Sequence, residues 1–480
     1  MKKILKVKQP TPLEYFTLRL MILLGIIAMS FFIKALFFES TKGNPFLYGM
    51  LLTAFGFSCL KVLHEWCHYF YITVPETPVA TRQYTVDIFT TFCPGEPLEM
   101  ITETLHAIQA ITYPHETYLC DEGDDPYLRE LCQSLGVHHV TRTLKVDAKA
   151  GNINNALRQS KGELCVILDP DHVPFPGFMD PIVSHFDDPE IGFIQIVQAY
   201  KNHEESLIAK GAAQQTYQFY GPMMMTMNKY GTVQAIGANC TFRRTALESI
   251  GGHAAGLAED MHTSMQLHAK GWKSKYVPQV LARGLVPSNL SAYYQQQLKW
   301  SRGVFDLLVT AYPKLFTKFS WQQKLHYAVI PLHYAFGLVY FINFLIPVIA
   351  LFFDISPIRM NLFEFGMEIL PLIISIVLIR HYVQRWTMED DERGFHMVGG
   401  LLMIGSWWVF ITGLVYTILK KKVPYVPTPK EDALDTNWKL NIPNFIILTL
   451  SISAIYFGLK KDWNPYNLTM SAFAFMNCLF

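Results

Sequence analysis

Seven stretches of this chain carry almost no charge, and they are grouped at its two ends. The two N-terminal stretches, residues 20–38 and 46–63, are separated by a short turn over 39–44. Each is about long enough to cross the hydrocarbon core of a bilayer as a helix. Lys2, Lys3, Lys6 and Lys8 precede the first one. Basic flanks stay on the cytosolic side, so a hairpin returns the chain to the cytosol near His64. The first run is long and no small-residue cleavage site follows it, which reads as a retained anchor rather than a signal peptide.

Further apolar stretches follow at 327–353, 362–379, 397–419, 442–459 and 468–480, the last read as the start of a span cut short. The 397–419 stretch is free of charge over its whole length, yet basic residues flank both of its ends. A single crossing cannot leave both flanks in the cytosol, so an interfacial or re-entrant helix is expected there.

Between these groups the texture changes. Residues 75–315 alternate short β-rich runs (84–92, 117–120, 163–168, 191–197 and 233–235) with helical stretches, which predicts an α/β domain with a mostly parallel sheet. The expected organisation is a membrane hairpin over 1–74, a cytosolic domain over 75–315, and membrane and interfacial helices over 316–480. The charged fraction of 16% is an average over these two textures. A formal net charge of +1 excludes a nucleic-acid binder held by bulk electrostatics. The eight cysteines contain no CxxC pair and outline neither a zinc ribbon nor a disulfide framework.

Ligands of such sheets bind beyond the carboxyl ends of the strands, and carboxylates gather there. Asp169-Pro170-Asp171-His172 directly follows an apolar run. Alternate side chains share a face, so Asp169 and Asp171 can converge on one Mg²⁺ or Mn²⁺ bridged to phosphates. Asp121 follows another run, and Glu259-Asp260 opens a helical stretch where a carboxylate could take a proton from a hydroxyl. In Gln295-Gln296-Gln297-Leu298-Lys299-Trp300, helical spacing puts Gln296, Lys299 and Trp300 on one face.

Taken together and in order, these segments resemble the processive, membrane-embedded family 2 glycosyltransferases, in a pattern similar to bacterial cellulose synthase. Val86-Asp87-Ile88-Phe89, Asp121, Lys149-Ala150-Gly151-Asn152 and Asp169 with Asp171 match in sequence order, and Gln195 and Gln198 echo a VQTPQ strand. Ala258-Glu259-Asp260 resembles the TED motif, Gln296, Lys299 and Trp300 the QxxRW motif, and Tyr425-Val426-Pro427-Thr428-Pro429-Lys430 the FxVTxK gating loop.

The resemblance implies a GT-A-like nucleotide-sugar-binding domain inserted in a helical membrane region. It implies that Asp121, Lys149, Asp169, Gln296 and Lys299 bind the donor and that Asp169 and Asp171 hold the metal. Asp260, with Glu259 beside it, would be the base, Trp300 would stack on the acceptor sugar, and Tyr425, Thr428 and Lys430 would close over the nucleotide. The implied reaction is inverting transfer from a UDP-sugar, UDP-glucose by preference, to a nascent polysaccharide, giving a β-glucan moved across the inner membrane. A multi-pass chain with its catalytic domain in the cytosol follows, with accessory secretion subunits as further partners.

Departures from the pattern include Lys299 for arginine, which turns a bidentate fork into a point charge, and Ala258 for threonine. Two other readings compete. One is a non-processive transferase acting on a lipid-linked acceptor. The other is an intramembrane zinc protease using His64-Glu65-Trp66-Cys67-His68, a literal HExxH. Interfacial anchoring by Trp66, His68, Tyr69 and Tyr71 is the expected alternative role of that segment.

Overall fold

The computed structural model describes residues 4–37, 42–421, 423 and 437–479. Its central sheet is built from β1 (Val86–Phe92), β2 (Glu116–Asp121), β3 (His138–Val140) and β4 (Leu164–Leu168). The short β5 (Val173–Pro174) follows, then β6 (Ile191–Ile196), the short β7 (Ala199–Tyr200), β8 (Cys240–Arg243), β9 (Lys273–Val277) and the short β10 (Ala282–Gly284). The seven-stranded order is β3-β2-β1-β4-β8-β6-β9, with β8 antiparallel to both neighbours and the other pairings parallel. A second sheet, β5-β10-β7, lies beside it.

The sheet is covered on both faces, which is why its strands read as unbroken apolar runs. In β4, Leu164, Val166 and Leu168 pack with Ile88, Ile108 and Phe178 on one side. Cys165 and Ile167 pack with Phe89, Ile153 and Phe242 on the other. At its amino edge Asp87 is buried and receives Arg244 Nη2 at 2.7 Å, an ion pair far from any ligand-binding edge.

The 233–235 run is not a strand. Val233 and Ala235 are buried, as strand residues would be, but side chains serve their backbone. Ala235 N donates to Ser264 Oγ at 2.8 Å, and Ser274 Oγ donates to Val233 O at 2.8 Å. Ile236 N donates to Gln195 Oε1 at 3.1 Å. Apolar composition reported burial correctly but could not report which groups would satisfy the peptides.

Among the described residues, five helices are long and apolar enough to cross a membrane. Pro12–Phe37, Pro45–Tyr69, Leu332–Phe353 and Leu362–Val383 are four of them, and Ile442–Lys461 lies in the fifth. Pro465–Asn477 follows as a shorter helix. The charge-free 397–419 stretch forms two helices, Met397–Gly405 and Trp407–Ile418, bent by 46°. The first of them docks on the α/β domain at helix Leu207–Gln214. Gly399 N donates to Gln214 Oε1 at 2.9 Å, and Gln215 Nε2 donates to Gly399 O at 3.0 Å. A lipid-exposed span would have no use for these polar partners.

Candidate active site

The carboxyl edge of the parallel strands collects the predicted residues. Asp121 ends β2, and Asp169 and Asp171 follow β4. Lys149 lies in helix Ala148–Leu157 and reaches across the edge, its Nζ donating to Asp169 Oδ1 and, at 2.8 Å, to Gly237 O. Burial opposes the charge on Lys149, but Asp169, Glu259 and Asp260 more than offset it, so the amine is held protonated.

Glu259 and Asp260 occupy the first turn of helix Glu259–Ala269, where the macrodipole favours negative charge. Asp260 Oδ1 accepts from Met261 N at 2.7 Å. Two hydroxyls fix this turn: Thr263 Oγ1 donates to Glu259 O at 2.6 Å, and Ser264 Oγ donates to Asp260 O at 3.0 Å. Both acids line a small cleft with Lys149, Gly237 and His253. Burial raises both carboxyls above the ordinary range, and for Glu259 its acidic neighbour adds to the effect. Asp169 also raises both carboxyls, while Lys149 lowers them in part.

Helix Leu290–Val309 brings in the remaining motif. A Cβ placed on Gly303 would stand 3.0 Å from both Ala258 Cβ and Ala258 N, so the helix touches the chain directly before Glu259. Lys299 and Trp300 lie four and three residues before Gly303, on the same face. Gln296 and Lys299 are half-buried, while Trp300 keeps 38% of its surface exposed. Next to Trp300, Arg302 Nε donates to Lys421 O at 3.3 Å. The chain leaving helix Trp407–Ile418 therefore starts beside this motif. Tyr425, Thr428 and Lys430 lie outside the described residues.

Asp171 and His172 form the buried half of the metal candidate. Ligand atoms of Asp169, Asp171 and His172 lie within 4.8 Å of one another, a spacing that fits one cation. Asp171 Oδ2 accepts from Leu285 N at 3.0 Å, and His172 Nδ1 faces Asp171 Oδ1 at 3.4 Å. His172 packs edge-on against Gly284, so the imidazole orients Asp171 while the two aspartates remain the hard-oxygen donors.

Asp121, the expected nucleotide contact, is engaged by its own loop and by His139. Both its oxygens serve its own loop, Oδ1 accepting from Gly123 N at 2.8 Å and Oδ2 from Asp125 N at 2.6 Å, with His139 Nε2 at 2.9 Å from Oδ2. Gln195 is likewise spent on backbone, donating to the carbonyls of Ile196, Ala238 and Asn239.

Sequence reasoning missed Arg142. Its Nε donates to Glu122 Oε2 at 2.9 Å, while Nη1 and Nη2 donate to Val146 O at 2.5 Å and Ala148 O at 2.9 Å. Asp147 and Ala148 have φ of 58° and 43°, a left-handed pair that costs energy in residues other than glycine. Gly151 lets the turn close, since a Cβ there would meet Val146 O at 2.1 Å. Arg142 thus holds a strained turn immediately before Lys149. The available signal was a lone arginine seven residues upstream of a lysine, which carries no information without the fold.

The HExxH segment has none of this openness. Glu65 pairs with Arg380, 315 residues away, at 2.9 Å, and His68 Nδ1 is 2.9 Å from His64 O. Among the described residues no cluster suited to a metal includes His64 or His68. Trp66, His68 and Tyr69 are buried, which corrects the expectation that they anchor at the bilayer interface; Tyr71 alone of the four is exposed. Trp66 packs against Gly25 of the first helix, so helix–helix packing explains the aromatic content.

Two family models match, one described as glycosyltransferase like family 2 over residues 94–303 and one as cellulose synthase over residues 233–401. The cellulose synthase catalytic subunit (UDP-forming) of Pseudomonas fluorescens is 26% identical over 419 residues, covering 81% of this chain and 56% of that protein. The corresponding subunit of Xanthomonas axonopodis pv. citri is 30% identical over 252 residues, covering 51% of this chain and 35% of that protein. The chain thus spans little more than half the length of the first of these relatives and about a third of the second. In fold, it is similar to a mannosyltransferase from Pyrobaculum calidifontis solved in complex with GDP-Man and Mn²⁺. The TM-score is 0.54 at 18% identity, covering 78% of this chain and 99% of that one. Sheet order, edge chemistry and the matched motifs agree in making this chain similar to the family 2 glycosyltransferases, cellulose synthases among them.

Proposed function

We propose that this protein polymerises a β-linked polysaccharide from a UDP-sugar by direct inverting displacement and passes the product through its membrane helices. UDP-glucose and a β-glucan are the donor and product we favour, in keeping with the cellulose synthase relatives. The observation that carries this reading is the meeting of Lys149, Asp169 and the Glu259–Asp260 pair at one sheet edge, with the Trp300 helix packed against Ala258.

In this reading Asp260 takes the proton of the acceptor hydroxyl as its oxygen bonds to the sugar carbon, while the bond from that carbon to the diphosphate breaks on the opposite face. A carboxyl raised by burial suits the task, because it binds the proton more tightly than an exposed aspartate would. Lys149 and Lys299 supply positive charge to the departing diphosphate. Asp169 and Asp171 are the residues that would hold a divalent cation, Mg²⁺ or Mn²⁺, which supplies Lewis-acid stabilisation of that leaving group. Trp300 offers an exposed indole face on which an acceptor sugar can stack.

The test is to incubate the purified full chain, in detergent or nanodiscs, with a panel of UDP- and GDP-sugars and either cation. Digestion by linkage-specific hydrolases then names the product. Release of UDP with a long polymer sensitive to a β-glucanase is expected. A single sugar added to a lipid acceptor would overturn the processive reading.

A further inference from the structure

An open cavity lies on the outer face of the first helix, lined by its entry and by Phe70 at the end of the second. It holds about 660 Å³, the size of a small-molecule site. Its walls are Tyr15, Phe16, Leu20, Leu23, Ile26 and Phe70, and Arg19 is its charged member. Leu20, Leu23 and Phe16 are strongly exposed, as expected of side chains that face acyl chains.

Arg19 is held by rings instead of by a counter-ion. Its guanidinium carbon stands 5.0 Å from the centroid of Tyr15, 4.8 Å from that of Phe70 and 5.3 Å from that of Tyr71. Nη2 donates to Phe70 O at 3.3 Å, and Nε is buried without a partner. No carboxylate lies within ion-pairing distance of Arg19 among the described residues. The neighbouring cation, Arg385, is spent differently: it pairs with Glu14 at 3.2 Å and lies over Tyr382. Guanidinium has five N–H donors in a planar fork that matches phosphate, and this one keeps most of them.

The position is set by the chain. The first apolar stretch begins at Leu20, so Arg19 stands at the boundary between headgroup and hydrocarbon, on the side of the basic N-terminus. The pocket is also built rather than incidental. Tyr15 Oη donates to Ile72 O, Gln9 Nε2 donates to Tyr15 Oη at 3.1 Å, and Val74 N donates to Gln9 Oε1 at 2.7 Å. These bonds tie the entry of the first helix to the exit of the second and fix the ring cage around Arg19.

We propose that this groove is a specific site for one glycerophospholipid of the cytosolic leaflet, its phosphate on Arg19 and its chains along Leu20, Leu23 and Ile26. Cation–π contacts keep the guanidinium in place and weakly hydrated, so the phosphate meets a preorganised donor.

The experiment is native mass spectrometry of the full chain in detergent, titrated with phosphatidylglycerol and, separately, with a diacylglycerol of the same chains. One tightly retained phosphatidylglycerol per chain is expected, bound at least 10-fold better than the phosphate-free lipid. Arg19→Gln should lose that preference, Leu23→Trp should fill the groove and weaken both lipids, and Arg385→Gln should change neither. Equal binding of the two lipids by the native chain overturns the proposal, whatever the folding behaviour of the variants. Undiminished phosphatidylglycerol preference in Arg19→Gln overturns it too.

Discussion

Carboxylate and imidazole meet at several places in this molecule, and two of them are electrostatic opposites. At the end of the second helix, Glu65 has its own cation in Arg380, and the adjacent aromatic residues are buried against other helices. At the sheet edge, Glu259 and Asp260 share the cation Lys149 with Asp169, and burial leaves both acids above the ordinary range. A balanced pair holds helices together, whereas an under-neutralised set stays ready for a proton and a cation. The lesson is that residue types alone do not mark a site; what marks it is whether the fold has already spent their charges.

The sharpest way to break this contrast is Asp260→Asn. Turnover should fall by about 10³-fold or more, because the general base is lost, while UDP-sugar affinity changes little. Isothermal titration with donor and a UDP-release assay separate the two. Substantial polymer synthesis by this variant would remove Asp260 from the role.

Next is Arg142→Ala. The strained turn before Lys149 would relax, and the donor KM should rise by roughly 10-fold or more with a smaller change in kcat, since the lysine is misplaced rather than removed. Arg142→Lys should recover part of the affinity by keeping one of the three contacts.

Gly303→Val probes the seam between the Trp300 helix and the base. The added side chain must enter a space where even a Cβ stands 3.0 Å from Ala258, so a cost of about 1–3 kcal/mol is expected, together with lower turnover. Thermal unfolding in detergent reads the first quantity.

The pH profile tests the raised carboxyls directly. Glu259 and Asp260 have carboxyl pKa values raised in the folded protein, so the ionised base is depleted on the acid side and kcat should climb with rising pH beyond the ordinary carboxylate range. Glu259→Gln removes the acidic neighbour and should move that limb to lower pH. An unmoved limb would mean that the two acids do not communicate.

The smallest effect belongs to the other region. Glu65→Gln should leave turnover close to native, while loss of the buried carboxylate's pair with Arg380 should cost about 1–3 kcal/mol of stability. A zinc-selective chelator, added with Mg²⁺ in excess, should leave turnover unchanged. A large loss of turnover in this variant would erase the distinction drawn between the two clusters.

Much of the site was legible from local pattern. Asp169, Asp171, Glu259 and Asp260 follow or begin elements whose type their neighbours dictate, and strand ends are where such sheets bind ligands. Arg142 was not legible, because its value comes from two backbone carbonyls and a carboxylate that only the closed turn assembles. The inward engagement of Asp121 was equally hidden, being a matter of which of several nearby amides the loop presents.

By itself, then, the sequence determined which segments are long and apolar enough to cross a membrane, which strands are buried on both faces, and which acids stand at strand ends. Each of these follows from local hydrophobic periodicity and charge. Tertiary structure alone decided that β8 runs antiparallel between β4 and β6, that the most apolar stretch bends and docks on the α/β domain, and that Glu65 is neutralised from 315 residues away. The physical reason is one of range. Burial is encoded residue by residue, but the pairing of a buried polar group depends on partners that only the folded chain brings within hydrogen-bonding distance.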